Sequence, residues 1–534
     1  MVSITASGLS WTTPDGQMVL KGIDLRLSRE RVGLVGRNGV GKTTLLQILA
    51  GLGDGASGTI SIEGRISLMR QEVQIDAAAT IADLFGARDA IATLRRAEAG
   101  QATVEELGDI DWTLEDRLGK ALAKVELDAD GATAISALSG GQRTRAALAA
   151  AIFQQADFIF LDEPTNNLDR DGRAAVLRFV DSWTKGMVVV SHDRELLEKM
   201  DAIIELTTLG ASKYGGNWSQ YRARKAAELT AAEHDLAHAL KMRGSIERKM
   251  QVANERKARR DSAGARKAAR GDLPRILSGA RKNAAEGSGG SGARLAERLS
   301  DQAGEAVSTA QAKVEVLQRL SIVLPPTRLH SDRTVLDISA MAVGYAPDEP
   351  LIRNLDLTIV GPERIAITGR NGSGKSTLLK VLSGELAPLS GRAKLHVSAA
   401  MIDQQVSFLD PERTILDNFR ALNPDANENT CRSILAGFLF RADAALQSVG
   451  TLSGGQMLRA GLACRLGGPN PPQLLILDEP TNHLDIESVQ AVEDALDAYD
   501  GALLVVSHDE TFLGNISIER RIDLHAMSAR HTDH

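Results

Sequence analysis

Gly36-Arg37-Asn38-Gly39-Val40-Gly41-Lys42-Thr43 recurs as Gly369-Arg370-Asn371-Gly372-Ser373-Gly374-Lys375-Ser376, an offset of 333 residues from Lys42 to Lys375. At this spacing the glycines let backbone N–H groups close around phosphate oxygens, at the start of a helix whose dipole favours anions. The lysine is suited to neutralise the β and γ phosphates, and the hydroxyl of Thr43 or Ser376 to ligate Mg2+. Thr44 and Thr377 continue each helix start. The apolar runs Val32-Gly33-Leu34-Val35 and Ile365-Ala366-Ile367-Thr368 lead into the loops, and helical patterns follow over residues 43–50 and 376–382. Strand, glycine loop and helix in that order predict two α/β domains, each with a phosphate-binding turn.

The duplication extends well beyond the loops. Leu138-Ser139-Gly140-Gly141-Gln142 returns as Leu452-Ser453-Gly454-Gly455-Gln456. Phe160-Leu161-Asp162-Glu163-Pro164 returns as Ile476-Leu477-Asp478-Glu479-Pro480, and Ser191-His192-Asp193 as Ser507-His508-Asp509. Asp162 and Asp478 end apolar runs of buried-strand length, where a carboxylate can hold Mg2+ through water. Glu163 and Glu479 come next and can polarise an attacking water as general base. His192 and His508 can donate a hydrogen bond to the γ phosphate or to that water. Gln71 and Gln404 share the 333-residue offset and can contact Mg2+ or the water; Gln is also an ordinary loop residue. The pattern predicts two ATP sites with Mg2+ as cofactor, and hydrolysis to ADP and phosphate.

The offset between Ser139 and Ser453 is only 314 residues, so the first copy carries about 19 extra residues before its Ser-Gly-Gly-Gln, near residues 85–120. This insertion holds Arg95, Arg96, Glu105, Glu106 and Trp112. Being confined to one copy, it is suited to a partner rather than to chemistry that both copies share.

A chain of 534 residues with 43% hydrophobic and 25% charged residues has the composition of a folded globular protein with two or three domains. No apolar run approaches the roughly 18 residues that a membrane span needs, and residues 1–5 do not read as a secretory signal. The only two cysteines, Cys431 and Cys464, leave no room for an iron–sulfur or multi-zinc module and read as buried thiols in a reducing, cytoplasmic setting.

The net charge of −7 hides an asymmetry. Residues 222–319 hold 21 Lys and Arg against 12 Asp and Glu. Leu229, Leu236, Leu240, Ile246 and Met250 fall near three-to-four spacing, as do Leu295, Leu299, Val307, Val314 and Leu317. Gly271-Asp272-Leu273-Pro274 and the run Gly287-Ser288-Gly289-Gly290-Ser291-Gly292 lie between them. The spacing predicts two long helices folding back as a hairpin. The expected domains are therefore 1–222, a basic helical linker 223–329, and 330–534. Arg256, Lys257, Arg259, Arg260, Arg266, Lys267 and Arg270 crowd one short stretch. Such a run is either a solvated helix face or a site for a phosphate backbone. The few interleaved aromatics favour backbone and shape recognition of RNA over base stacking.

Leu-Ser-Gly-Gly-Gln with these companions resembles the ATP-binding cassette superfamily. That resemblance implies cassettes paired head to tail within the chain, hence a monomer. Lys42, Thr43, Asp162, Glu163 and His192 would then share one ATP with Ser453, Gly454, Gly455 and Gln456. Lys375, Ser376, Asp478, Glu479 and His508 would share the other with Ser139, Gly140, Gly141 and Gln142. Trp11 and Tyr345 precede the phosphate-loop strands and are placed to stack on adenine, or else are ordinary core aromatics. Asn482-His483-Leu484-Asp485 and Tyr214-Gly215-Gly216-Asn217-Trp218-Ser219-Gln220-Tyr221 are similar to the F subgroup, tandem cassettes without membrane spans that work on the ribosome. On that resemblance the linker would contact rRNA and tRNA, and the insertion would be the subgroup's arm. Asn167, in place of the usual His, and Trp11, in place of Tyr or Phe, depart from the pattern. The expected function is a translation factor that binds the ribosome when ATP-bound, in relief of stalling or in antibiotic resistance. The alternatives are the fused ATPase of a transporter with separate membrane subunits, and a DNA-repair or chromosome ATPase.

Overall fold

The apolar run ahead of each glycine loop is a central parallel strand, Arg31–Val35 in the first copy and Arg364–Thr368 in the second. Residue pairs Leu34–Val190 and Ile367–Val506 set these strands beside those that end in Ser-His-Asp. Asp162–Val190 and Asp478–Val506 bring the carboxylate strands to the same edge. Three motifs far apart in sequence therefore converge at the carboxyl ends of one sheet, where ligands of open α/β sheets bind. The structure, a computed structural model, describes residues 2–534 except 54, 70–78, 167, 270–297, 299–301, 303, 306, 309–321, 483 and 525–534.

The first sheet runs Ile66–Met69, Phe158–Asp162, Gly186–Val190, Arg31–Val35, Ala202–Thr207 and Gly210–Gly215, parallel throughout except at its last pair. The second runs Ala399–Ile402, Leu474–Asp478, Ala502–Val506, Arg364–Thr368 and Arg520–Asp523. Each copy adds a three-stranded antiparallel sheet, centred on Ser3–Thr12 and on Thr334–Val343. Phe158, Phe160, Leu34, Leu45 and Leu46 are buried in the core between the first copy's two sheets. Burial of each such side chain contributes about 1.5–3 kcal/mol. The equivalent core of the second copy holds Ile367, Leu378, Leu379 and Ile476.

The insertion is helical. Between the bridge partners Thr80 and Ala134 lie the helices Ile81–Leu84, Arg88–Glu98, Val104–Asp109 and Leu114–Lys124. The matching bridge, Thr414 to Ser448, spans Ile415–Leu422, Glu428–Gly437 and a 3-10 turn. The helix Val104–Asp109 buries none of its residues, and Val104 and Trp112 are 87% and 59% exposed.

Residues 219–319 form a separate unit from the two copies, which together make the other. The linker opens with the helix Trp218–Ala269, whose 52 residues span about 78 Å. Arg243 pairs with Glu247 one turn away, while the sequence from Arg248 to Arg260 holds six cations against one acidic residue, Glu255. Most of the expected second helix and its breaker run lie outside the described residues; residues 298, 302, 304, 305, 307 and 308 are helical. Among the described residues no helix is long and apolar enough to cross a membrane.

Candidate nucleotide sites

Three glycines in each phosphate loop adopt conformations that a side chain resists. Gly36, Gly39 and Gly41 have φ of 152°, 79° and 102°; Gly369, Gly372 and Gly374 have 150°, 83° and 91°. A Cβ on Gly36 would clash with the carbonyl oxygen of Leu206. The chain thus arches over the helices Lys42–Leu49 and Lys375–Leu382 and leaves their first N–H groups facing the arch. Lys42 Nζ donates to the carbonyls of Gly36 and Arg37 at 2.7 and 3.1 Å, and Lys375 to those of Gly369 and Arg370 at 2.7 and 3.2 Å. The two cations are therefore held in the same place in both copies.

The hydroxyl of Thr43 hydrogen-bonds to Asp162, and that of Ser376 to Asp478. The Oδ1 atoms of Asp162 and Asp478 are buried and without a protein partner. Burial pushes both carboxyls above their ordinary range. A hydroxyl beside a carboxylate with free acceptor capacity is the donor chemistry of a hard cation that retains water and phosphate ligands, so the residues fit Mg2+. Gln404 is exposed at the second cleft and can join that set. Gln71 lies outside the described residues.

Glu163 and Glu479 both sit at positive φ, 49° and 45°, a left-handed turn costing about 1–3 kcal/mol for a residue with a side chain. Their N–H groups donate to Val190 and Val506, each at 2.9 Å. Each carboxylate accepts the backbone N–H of the following histidine position, His192 or His508. The strained turn thus aims each side chain at the phosphate loop. Burial pushes Glu163 up to about 8 and Glu479 to about 7. Burial, with the neighbouring lysine adding to it, pushes His192 down to about 3 and His508 to about 4. His192 Nε2 lies 3.2 Å from Glu163, and His508 Nε2 3.4 Å from Glu479. A neutral imidazole can orient a water, and the carboxyl beside it, titrating near neutrality, can take that water's proton.

Each Ser-Gly-Gly-Gln begins a helix, Gly140–Phe153 or Gly454–Leu466. Gln142 N–H donates to Ser139 Oγ at 3.3 Å and Gln456 N–H to Ser453 Oγ at 3.4 Å, while each glutamine side chain accepts the serine N–H at 2.9 Å. The capping box holds the motif as a preformed helix terminus. Gly140 and Gly454 are exposed, and a Cβ on either would meet nothing. Trp11 is half-buried beside the first antiparallel core. Tyr345, 69% exposed, lines a cleft of about 530 Å³ at the second site together with Asn371, Lys375, Glu479 and His508. Arg256 and Arg259 of the linker are exposed. The side chains of Lys257, Arg260, Arg266 and Lys267, and the whole of Arg270, lie outside the described residues.

The copies face each other through contacts that sequence reasoning missed. Asn38 N–H donates to Asp485 Oδ2 at 3.0 Å, and Arg37 pairs with Glu487 at 2.7 Å. The charge of Asp485 acts on Lys42 and His192, and that of Asp169 on Lys375 and His508. The counterpart of the Arg37 pair, Arg370 to Asp171, is 4.0 Å long. The available signal was the repeat itself: Asp169 and Asp485 share the 316-residue offset of Glu163 and Glu479.

Two such α/β units, each with a phosphate loop, a buried strand-end aspartate and a helix-capping Ser-Gly-Gly-Gln, define a tandem nucleotide-binding protein. The ABC transporter family model matches residues 20–166 and 352–482. The tylosin resistance ATP-binding protein TlrC of Streptomyces fradiae is 32% identical, over 93% of this chain and 92% of its own. ABC transporter F family member 5 of Arabidopsis thaliana is 29% identical, over 94% and 72%. Among solved structures, the archaeal ribosome recycling factor aABCE1, crystallised with the stalk protein aP1, superposes with TM-score 0.56 at 21% identity, covering 97% of this chain and 87% of that one. The chain belongs to the ATP-binding cassette family, as a tandem-cassette member of its F branch.

Proposed function

We propose that this chain is an ATP-driven clamp whose two cassettes close on two ATP molecules and which acts on the ribosome through its basic linker. One observation carries the reading: each cassette presents an aspartate, Asp485 or Asp169, to the phosphate-loop lysine and the histidine of the other. That reciprocity is what two sites shared head to tail require. In each closed site the preformed Ser-Gly-Gly-Gln helix terminus would meet the γ phosphate held by the opposite loop. Mg2+, when bound at Thr43 with Asp162 or at Ser376 with Asp478, would neutralise phosphate charge. Glu163 and Glu479 take the proton of the attacking water, since a carboxyl at about 7–8 is matched to neutral pH. His192 and His508, neutral, orient the water or the γ phosphate. ATP and water become ADP and phosphate, and the sites reopen.

The ribosome as target is supported by the excess of cations on the linker helix and by the F-branch relatives. The relative named for tylosin resistance supports antibiotic protection as one physiological outcome. A cytoplasmic location and a monomeric working unit fit the same reading. Steady-state ATP hydrolysis measured with and without purified ribosomes tests it. Ribosome-dependent stimulation that fades with salt is expected; turnover indifferent to ribosomes would contradict it.

A further inference from the structure

Arg173 is the fourth residue after the capping Asp169 in the helix Arg170–Ser182. Val489 holds the same place after Asp485 in Ile486–Asp497. Arg173 is only 9% exposed and spans the two cassettes. Its Nη1 donates to the carbonyl oxygen of His508 at 3.0 Å, and its Nη2 to the carboxylate of Asp193. Asp193 is fixed in turn, since its Oδ1 accepts the N–H groups of Glu195 and Leu196. Glu195 stands 3.8 Å from the same guanidinium, and Asp509 adds its charge. The backbone of the second site's histidine is therefore tied to the first cassette by a planar two-pronged donor. Val489 is buried and has no donor with which to do this for His192.

We propose that Arg173 is a positioning residue chiefly for the second ATP site, holding His508 so that its ring stays beside Glu479, and that the two sites are chemically inequivalent for this reason. Arg173 and His508 line the cleft of the second site, together with His192 and Asp193 of the first cassette. The proposal rests on the reading of Glu163 and Glu479 as the bases of two separate sites. It predicts that loss of the guanidinium slows the chemical step far more where His508 works than at the site of His192, whose neighbour Asp193 keeps its bonds to the N–H groups of Glu195 and Leu196.

The test is single-turnover hydrolysis of saturating ATP by the full chain in two backgrounds: E163Q, which leaves the second site working, and E479Q, which leaves the first. Adding R173M is expected to slow hydrolysis by about tenfold or more in E163Q, with ATP affinity within about twofold, and to change E479Q by less than about twofold. R173K keeps the charge but not the fork, so an intermediate rate confined to E163Q is expected; it carries the test if R173M does not fold. Equal slowing in both backgrounds, or none in either, overturns the proposal. If instead E163Q and E479Q fail to remove hydrolysis one site at a time, the two-base reading itself has failed.

Discussion

Arg194 of the first cassette and Glu493 of the second form a 2.6 Å ion pair that is 5% and 9% exposed. Asn515 Nδ2 donates to the same Glu493 oxygen at 3.0 Å. At the offset of 316 residues the mirrored positions are Glu510 and Leu177, which cannot pair. This buried ion pair is thus made on one side of the cassette interface only. Removing one partner strands a buried charge, so R194M or E493Q is expected to cost about 3–5 kcal/mol. Replacing both by leucine should recover most of that. Thermal unfolding of the singles and the double checks it; three equal melting temperatures would contradict it.

Glu163 and Glu479 are expected to supply about 10²–10⁴ of the hydrolysis rate. E163Q with E479Q should bind ATP and abolish turnover within that range. Filter binding and phosphate release measure the two separately. Wild-type turnover in the double variant would remove the general-base assignment.

The same burial makes stability depend on pH. Glu163 folds with its carboxyl raised from 4.5 to about 8, so the folded state keeps a proton that the unfolded chain has lost across that window. Stability therefore falls as pH rises from about 4.5 to about 8. His192, lowered from 6.5 to about 3, acts oppositely: the unfolded chain takes the proton, and stability rises with pH between about 3 and 6.5. Between pH 6.5 and 8 only the glutamate contribution is left. Wild-type melting temperature should decline across that interval more steeply than that of E163Q, as scanning calorimetry would record. Parallel declines would contradict the assignment.

The strand–loop–helix units were legible because each is local: an apolar run, glycines at fixed spacing, a helix start. Duplication then made Lys42, Glu163 and His192 stand out with their counterparts. The roles of Asp485 and Arg173 were not legible. They act across the cassette interface, on partners 447 and 335 residues away in sequence, and Arg173 has no counterpart to flag it. The neutral state of His192 also escaped a sequence reading, since it follows from burial against Lys42. The left-handed turn at Glu163 is hidden for a related reason: nothing in Asp-Glu-Pro demands it, and the strand pairing around Val190 imposes it.

The linker cations should act on binding alone. Replacing Arg256, Lys257, Arg259 and Arg260 by Gln is expected to weaken RNA or ribosome binding and flatten its salt dependence by roughly 0.7–0.9 log units per lost phosphate contact. ATP hydrolysis without ribosomes should be unchanged. A salt slope equal to wild type would take these residues out of the interface.

The most direct test of the central claim is sedimentation of E163Q with E479Q through sucrose with ribosomes, with and without ATP. The account predicts co-migration with ribosomes that requires ATP. Failure to co-migrate, in protein shown by cross-linking to have closed its cassettes on ATP, would contradict the ribosome as the clamp's target.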